Sequence, residues 1–260
     1  MADASDILVA SAVSKTYFDT VEGNDVLALN DVSLTVRAHE FVSVIGPSGC
    51  GKSTFLRIVA GLDRPTSGEV AVRGRKVTGP GADRGMVFQE YALLPWKTTE
   101  ANVEFGLRLK KMPGGERRAV TQRFIDLVGL TGFEKKYPHQ LSGGMRQRAA
   151  VARVLANNPA MLLMDEPFAA VDAMTRQRLQ EELTAITALE RTTVLFITHA
   201  IDEAVFLSDR VIALSRRPGR IIANVPIDLP RPRKWDTIVH DARFAEYRDR
   251  LTRSIETGSA

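Results

Sequence analysis

The chain has 260 residues, 44% hydrophobic and 25% charged, which suits one α/β domain with room for an inserted lobe and gives no sign of disorder or a disulfide scaffold. Its apolar runs, such as residues 41–45 and 194–197, are far too short to cross a bilayer, and the start MADASDILVA does not read as a secretory leader. The single cysteine, Cys50, cannot form an internal disulfide and fits a reducing cytosol, while a net charge of +4 is too small to single out nucleic acid or an anionic membrane as a partner.

In chain order, residues 26–36 alternate in polarity and read as strand material with a turn around Asn30 and Asp31. Residues 41–45 (FVSVI) form a short β-rich run that leads into a glycine-rich turn. Helical spacing then runs from Ser53 to Ala60 and stops at Gly61, giving a strand–loop–helix unit. Turn residues at 63–67 and 79–81 bracket a strand-like segment at 69–72, and 86–88 is another buried run. From about Tyr91 to Asn158 the texture becomes helical, at 107–111, 118–128 and 145–155, with breaks at 113–115 and Pro138. Strand patterns return at 161–164, 193–198 and 210–214. Between them, 175–189 is helical, with Leu179, Leu183 and Ile186 on one face. Strands alternating with helices predict a largely parallel sheet carrying an inserted helical lobe. Pro226, Pro230 and Pro232 mark an exit from the core, followed by a tail. Arg216 with Arg217, and the cluster 231–234, read as solvated edges, with a membrane-proximal role as the alternative.

Three features point to phosphate chemistry. Gly46-Pro47-Ser48-Gly49-Cys50-Gly51-Lys52-Ser53-Thr54 satisfies G-x-x-x-x-G-K-[ST], in the strand-to-helix context the motif requires. Its glycines let the backbone wrap a phosphate chain, and N–H groups at the helix start point at the anion. Lys52 is placed for the β- and γ-phosphates and the Ser53 hydroxyl for Mg²⁺. The same helix start could lower the pKa of Cys50, although the role this residue reads for is only to fit the loop. Next, the apolar run 161–164 ends in Asp165 and Glu166. The burial of such a strand delivers Asp165 to the sheet edge near the metal and Glu166 to the attacking water. Taken alone, this pattern also describes a strand entering a polar loop. Finally, His199 follows the strand at 193–198, so it lies at the same edge, where ligands of parallel sheets gather. It is a candidate sensor of the γ-phosphate.

Leu141-Ser142-Gly143-Gly144-Met145-Arg146-Gln147-Arg148 resembles the signature motif of the ABC ATPases, and the set of motifs covers residues 8–215. Ser142 can cap the following helix, and Gly143 and Gly144 expose backbone N–H groups at its start. The resemblance implies an α/β fold: a P-loop NTPase (RecA-like) core, an N-terminal antiparallel β subdomain and an inserted α-helical subdomain. The ATPase domain would span 7–230 with the helical insert at about 91–158, leaving 231–260 as a C-terminal tail. It further implies ATP and Mg²⁺ as ligands and a head-to-tail dimer with a second copy, whose signature closes over the partner's ATP. Gln89 looks like the loop glutamine that reaches Mg²⁺ and water, Asp172 like the loop aspartate that crosses the interface, and Tyr17 like the aromatic that stacks on adenine, with Phe18 as the fallback. Met145 departs from the family's usual glutamine. Because the phosphate contacts come from Ser142 and glycine backbone, activity is expected to survive.

Residues 79–89, Leu93-Leu94-Pro95-Trp96 and 102–106 look like the nitrate/sulfonate/taurine importer ATPases. That resemblance implies two transmembrane permease subunits as partners, an extracytoplasmic solute-binding protein acting through them, no nucleic acid, and a peripheral position on the cytoplasmic face of the inner membrane. Leu93, Leu94 and Trp96 are then docking residues for the permease, or packing for the lobe itself. The rival reading is a non-transport ABC ATPase acting on nucleic acid. It is disfavoured because the insert shows neither sustained heptads nor cysteine pairs.

Overall fold

A computed structural model describes residues 6–21, 23–169 and 171–258. Period-two alternation runs through the first part of the chain. It produces two long strands, β1 (Asp6–Asp19) and β2 (Asn24–Arg37), paired antiparallel. The turn predicted at Asn30 and Asp31 is instead an irregularity inside one continuous strand. Asp31 adopts φ +54°, and the register slips between Ala10/Val13 and Val13/Lys15. A bulge of this kind bends a strand without ending it, so its sequence signal resembles that of a turn.

β3 (Phe41–Ile45) is followed by α1 (Lys52–Ala60), then β4 (Ser67–Val72), β5 (Arg75–Lys76) and β6 (Arg84–Val87). Helices α2 (Thr99–Val103), α3 (Phe105–Leu109), α4 (Gly114–Leu127) and α5 (Gly143–Leu155) build the lobe, with a 3₁₀ turn at Pro138–Gln140. Then follow β7 (Met161–Asp165), α6 (Ala173–Leu189), β8 (Thr193–Ile197), α7 (Ile201–Leu207), β9 (Arg210–Leu214), β10 (Ile221–Pro226), α8 (Trp235–Ile238) and α9 (Ala242–Thr257).

One sheet has the order β2-β1-β4-β5 and is antiparallel. The other has the order β10-β9-β3-β8-β7-β6, parallel from β9 to β6 with β10 antiparallel at its edge. All five residues of β3 and of β8 are buried, as expected for strands covered on both faces. Alternate residues serve different layers. Val42, Val44, Met161, Leu163, Leu195 and Ile197 pack with α1 and the antiparallel sheet. Phe41, Ile45, Leu162, Met164, Val194 and Phe196 pack toward α5, α6, α7 and α9. Each such side chain contributes about 1.5–3 kcal/mol on burial, which fixes the strand register and so the positions of the strand ends.

Within the lobe, the short α2, which the helical periodicity did not reveal, presents the fully buried Asn102. Its amide oxygen accepts from Leu94 N (2.8 Å), and its nitrogen donates to the carbonyls of Leu94, Lys97 and Thr98. One side chain thereby rivets the 93–97 loop. Leu93 packs against the core, whereas Trp96 is 71% exposed.

The sequence predicted that the chain leaves the core near Pro230, and here the structure differs. Trp235 stacks on Phe206 (4.2 Å, 8°) and meets Phe244 edge-on, and Phe244 and Leu251 are buried with the main core. The solvated reading of the cluster at 231–234 holds for Arg231 and Lys234, which are exposed, but not for Arg233. Arg233 is only 4% exposed and donates to the carbonyls of Val205, Phe206, Ser208 and Leu229. The charge pattern gave no hint of this, because a helix end that needs a buried donor leaves its mark only in three dimensions. No helix among the described residues is long and apolar enough to cross a membrane.

Candidate active site

The loop from Gly46 to Gly51 joins β3 to α1, and three of its glycines are required by geometry. Gly46, Gly49 and Gly51 have φ of +154°, +75° and +102°. A Cβ at Gly46 would lie 2.8 Å from Leu214 O, and one at Gly51 2.6 Å from the Leu29 side chain. Larger residues would therefore suffer strain and clash at 46 and 51, and strain alone at 49. Lys52 is buried and curls back over the loop, donating to Gly46 O (2.8 Å) and Pro47 O (2.9 Å). Its ammonium is thus held at the loop that would cradle a phosphate.

Cys50 fits the loop by packing, as its sequence position suggests, but the lowered pKa suggested for it is not found. It is 1% exposed, and burial pushes its thiol pKa up, outweighing the nearby Lys52 charge. Its sulfur sits where a Cβ at Gly46 would come within 2.9 Å, so its role is packing. A native-state thiol titration with an aromatic disulfide should leave Cys50 unlabelled on the timescale that fully labels the denatured chain. Rapid native labelling would show that this loop opens.

At the ends of β7 and β8 the chemistry converges. Ser53 Oγ donates to Asp165 Oδ1 at 2.9 Å, and His199 Nδ1 lies 3.0 Å from Glu166 Oε2. A carboxylate only accepts, so Nδ1 carries the proton in this pair. The neutral ring then offers Nε2 as an acceptor, and it donates to a phosphate oxygen only with both nitrogens protonated. Glu166 adopts φ +43°, a left-handed conformation that costs about 1–3 kcal/mol for a non-glycine residue. Its backbone N–H is tied to Ile197 O (3.0 Å), which fixes the carboxylate between the two strand ends. Burial, reinforced by the charge of Glu166, pushes the Asp165 carboxyl above its ordinary pKa despite the Ser53 hydrogen bond.

Tyr17, Val26, Ala28, Ser48, Gly49, Gly51, Lys52, Ser53, Thr54, Glu166 and Arg217 surround a cleft of about 360 Å³. Tyr17 is held at its rim. Its hydroxyl donates to Asp63 Oδ2 (2.6 Å), and Lys15 Nζ lies 4.7 Å from the ring centroid. Partial burial and then the Asp63 contact raise its pKa. Phe18, the fallback, is 65% exposed and does not line the cleft. Two contributors escaped sequence reasoning: Asp63, legible only as a turn residue, and Arg217, read as a solvated edge.

Several predicted residues lie outside this cleft. Ser142 caps α5, accepting from Met145 N (3.3 Å), which leaves its O–H free to donate elsewhere. Gly144 packs on α6, where a Cβ would lie 3.1 Å from Thr175 Cγ2. Met145 is half-buried against the core, which accommodates the departure from glutamine. Asp172 caps α6 through Thr175 N (3.0 Å), and that backbone hydrogen bond holds its carboxyl below the usual range. None of these residues borders the cleft among the described residues. Gln89 is exposed at the junction with the lobe, and no hydrogen bond joins it to Ser53, Asp165 or Glu166.

A family model described as ABC transporter matches residues 29–169. The chain belongs to the ABC transporter family. It is 57% identical over 229 residues to the uncharacterized ABC transporter ATP-binding protein MJ0412 of Methanocaldococcus jannaschii, covering 88% of this chain and 84% of that one. It is 47% identical over 232 residues to the nitrate import ATP-binding protein NrtD of Synechocystis sp., covering 87% of each. Among solved structures, it resembles the dimeric post-hydrolysis state of the ATP-binding cassette MJ0796 bound to ADP and Pi. That match has a TM-score of 0.74 and 35% identity, covering 86% of this chain and all of that one. Within the family the chain is an ATPase subunit: a P-loop NTPase core with an antiparallel β subdomain and a helical insert.

Proposed function

We propose that this chain powers an importer of a small anion, such as nitrate, a sulfonate or taurine. It would work as a head-to-tail dimer beneath two membrane permease subunits, on the cytoplasmic face, with an extracytoplasmic solute-binding protein delivering cargo. The observation that carries the reading is one sheet edge that holds the Ser53–Asp165 pair (2.9 Å) and the Glu166–His199 pair (3.0 Å) beside a loop whose Lys52 donates to Gly46 O (2.8 Å). The kinship with a nitrate import protein supports the cargo class.

The chemistry follows from the residues. ATP enters the cleft with its base against Tyr17 and its phosphates in the Gly46–Thr54 loop, where the α1 N-terminus and Lys52 offset their charge. Ser53 and Asp165 form a hard-oxygen donor set that suits Mg²⁺, and would hold it to neutralise charge on the β- and γ-phosphates. Such an ion would take its remaining ligands from substrate and water. Glu166 accepts the proton of the attacking water, and His199 orients Glu166 and faces the γ-phosphate.

A single chain leaves its signature helix end without a phosphate. In a dimer, the free Ser142 O–H and the α5 N–H groups would face the partner's γ-phosphate, with Asp172 at the seam. Gln89 links the site to the lobe, where Leu94 and Trp96 would receive the permease and Leu93 supports them from within.

Growth of a strain lacking this chain tests the proposal. It should fail on one of taurine, an alkanesulfonate or nitrate as sole sulfur or nitrogen source, and recover with the wild-type gene. Unimpaired growth on all three, in a background without redundant transporters, would remove the anion-importer reading.

A further inference from the structure

The loop at residues 215–220, between β9 and β10, does more than connect two strands. Gly219 N donates to Ala28 O (2.9 Å), and Asn30 N donates to Gly219 O (3.0 Å), so the loop is pinned to β2 at the residue that walls the cleft. Its other face is set against the phosphate loop. A Cβ at Gly219 would lie 2.1 Å from Cys50 O, so the two backbones are in direct contact there. Internally, Ser215 N donates to Arg220 O (2.9 Å) and Ser215 Oγ to Pro218 O (2.9 Å). The loop is therefore a braced element that spans the base-side wall and the phosphate loop.

From this element Arg217 projects into the cleft, whereas its neighbour Arg216 does not border it. Among the described residues Arg217 makes no hydrogen bond or ion pair. Lys52, the other cation of the cleft, is engaged at Gly46 O and Pro47 O. A guanidinium without a partner, on a fixed base beside an anion-binding loop, is suited to a phosphate oxygen through charge-assisted hydrogen bonds. The position of the loop decides which phosphate. It is anchored at Ala28 on the wall beside Tyr17 and at Cys50 in the phosphate loop, whereas Glu166 and His199 stand at the β7 and β8 ends, to which the proposed function assigns the γ-phosphate.

We propose that Arg217 is a nucleotide-contacting residue that grips the α- and β-phosphates, the part of the chain that remains after hydrolysis. The proposal rests on the cleft being the ATP site. It makes Arg217 a determinant of how tightly both ATP and ADP are held, and so of product release.

Equilibrium binding of ATP and ADP to the full-length wild type, Arg217→Ala, Arg217→Lys and Arg216→Ala tests it. Arg217→Ala should weaken ATP and ADP equally, by about 10-fold at low salt, with a smaller loss at high salt. Arg217→Lys should recover part of the affinity, and Arg216→Ala should match the wild type. Wild-type affinity for both nucleotides in Arg217→Ala would overturn the proposal. So would a loss confined to ATP, which would place Arg217 at the γ-phosphate, or an equal loss in Arg216→Ala, which would reduce the effect to general surface charge. If the wild type itself bound neither nucleotide, the reading of the cleft would fall instead.

Discussion

Glu166→Gln is expected to bind ATP with near wild-type affinity while turnover falls by about 10²- to 10⁴-fold, the usual worth of a positioned general base. The substitution is nearly isosteric. An amide oxygen can still accept from His199 Nδ1, which lies 3.0 Å from the present carboxylate, and the backbone tie from residue 166 to Ile197 O does not involve the side chain. The left-handed φ of +43° belongs to the backbone and should also persist. What disappears is the ability to take a proton from water. Two measurements separate this role from a binding role: nucleotide affinity, and the rate of phosphate release at saturating ATP. A third reads the assembly. If hydrolysis reopens a closed dimer, the variant should accumulate as an ATP-dependent dimer in light scattering while the wild type stays mostly monomeric. Wild-type turnover in Glu166→Gln would show that another group is the base.

The geometry of the candidate site was largely legible in the sequence because its residues lie in short, ordered segments. A glycine-rich loop between a strand and a helix, an apolar strand ending in Asp165 and Glu166, and a strand ending at His199 must share an edge once the sheet is parallel. The period of the buried strands supplied that parallel sheet. Less legible was whatever depends on residues distant in sequence. Asp63 fixes Tyr17 across 46 positions, Asn102 rivets a loop that precedes its own helix, and Arg217 reaches the cleft from a loop that reads as surface. The bulge at Asp31 reads as a turn in the sequence because the two share a local signal, and only the paired strand distinguishes them. The thiol pKa of Cys50, unlike its packing role, escapes the sequence for a related reason. Its place near a helix start argues for a lowered pKa, but its burial, which acts the other way and is the larger effect, comes from the packing of Gly46 and Leu214 around it.

Arg233→Ala is expected to cost about 3–5 kcal/mol of folding stability. The guanidinium is 4% exposed, and burial, with Arg231 nearby, lowers its pKa to about 10, so it remains charged at neutral pH. It holds that charge because it lies at the C-terminal end of α7, where the carbonyls of Val205, Phe206 and Ser208 lack helical partners and present the negative end of the helix dipole. The same group donates to Leu229 O, so it also fastens the chain after β10 onto the core. Truncation would strand four buried acceptors and loosen the base on which Trp235 stacks against Phe206. The denaturant midpoint should fall accordingly, while Arg231→Ala, which removes a half-exposed contact with Asp209 and Leu207 O, should cost about 1 kcal/mol. Hydrogen exchange would locate the damage: α7, α8 and α9 should lose protection before β3 and α1. Because α7 begins two residues after His199, the variant should also show reduced turnover at temperatures where the core is still folded. An unchanged midpoint would mean that water can replace all four hydrogen bonds, and that the C-terminal segment is held by Trp235, Phe244 and Leu251 alone.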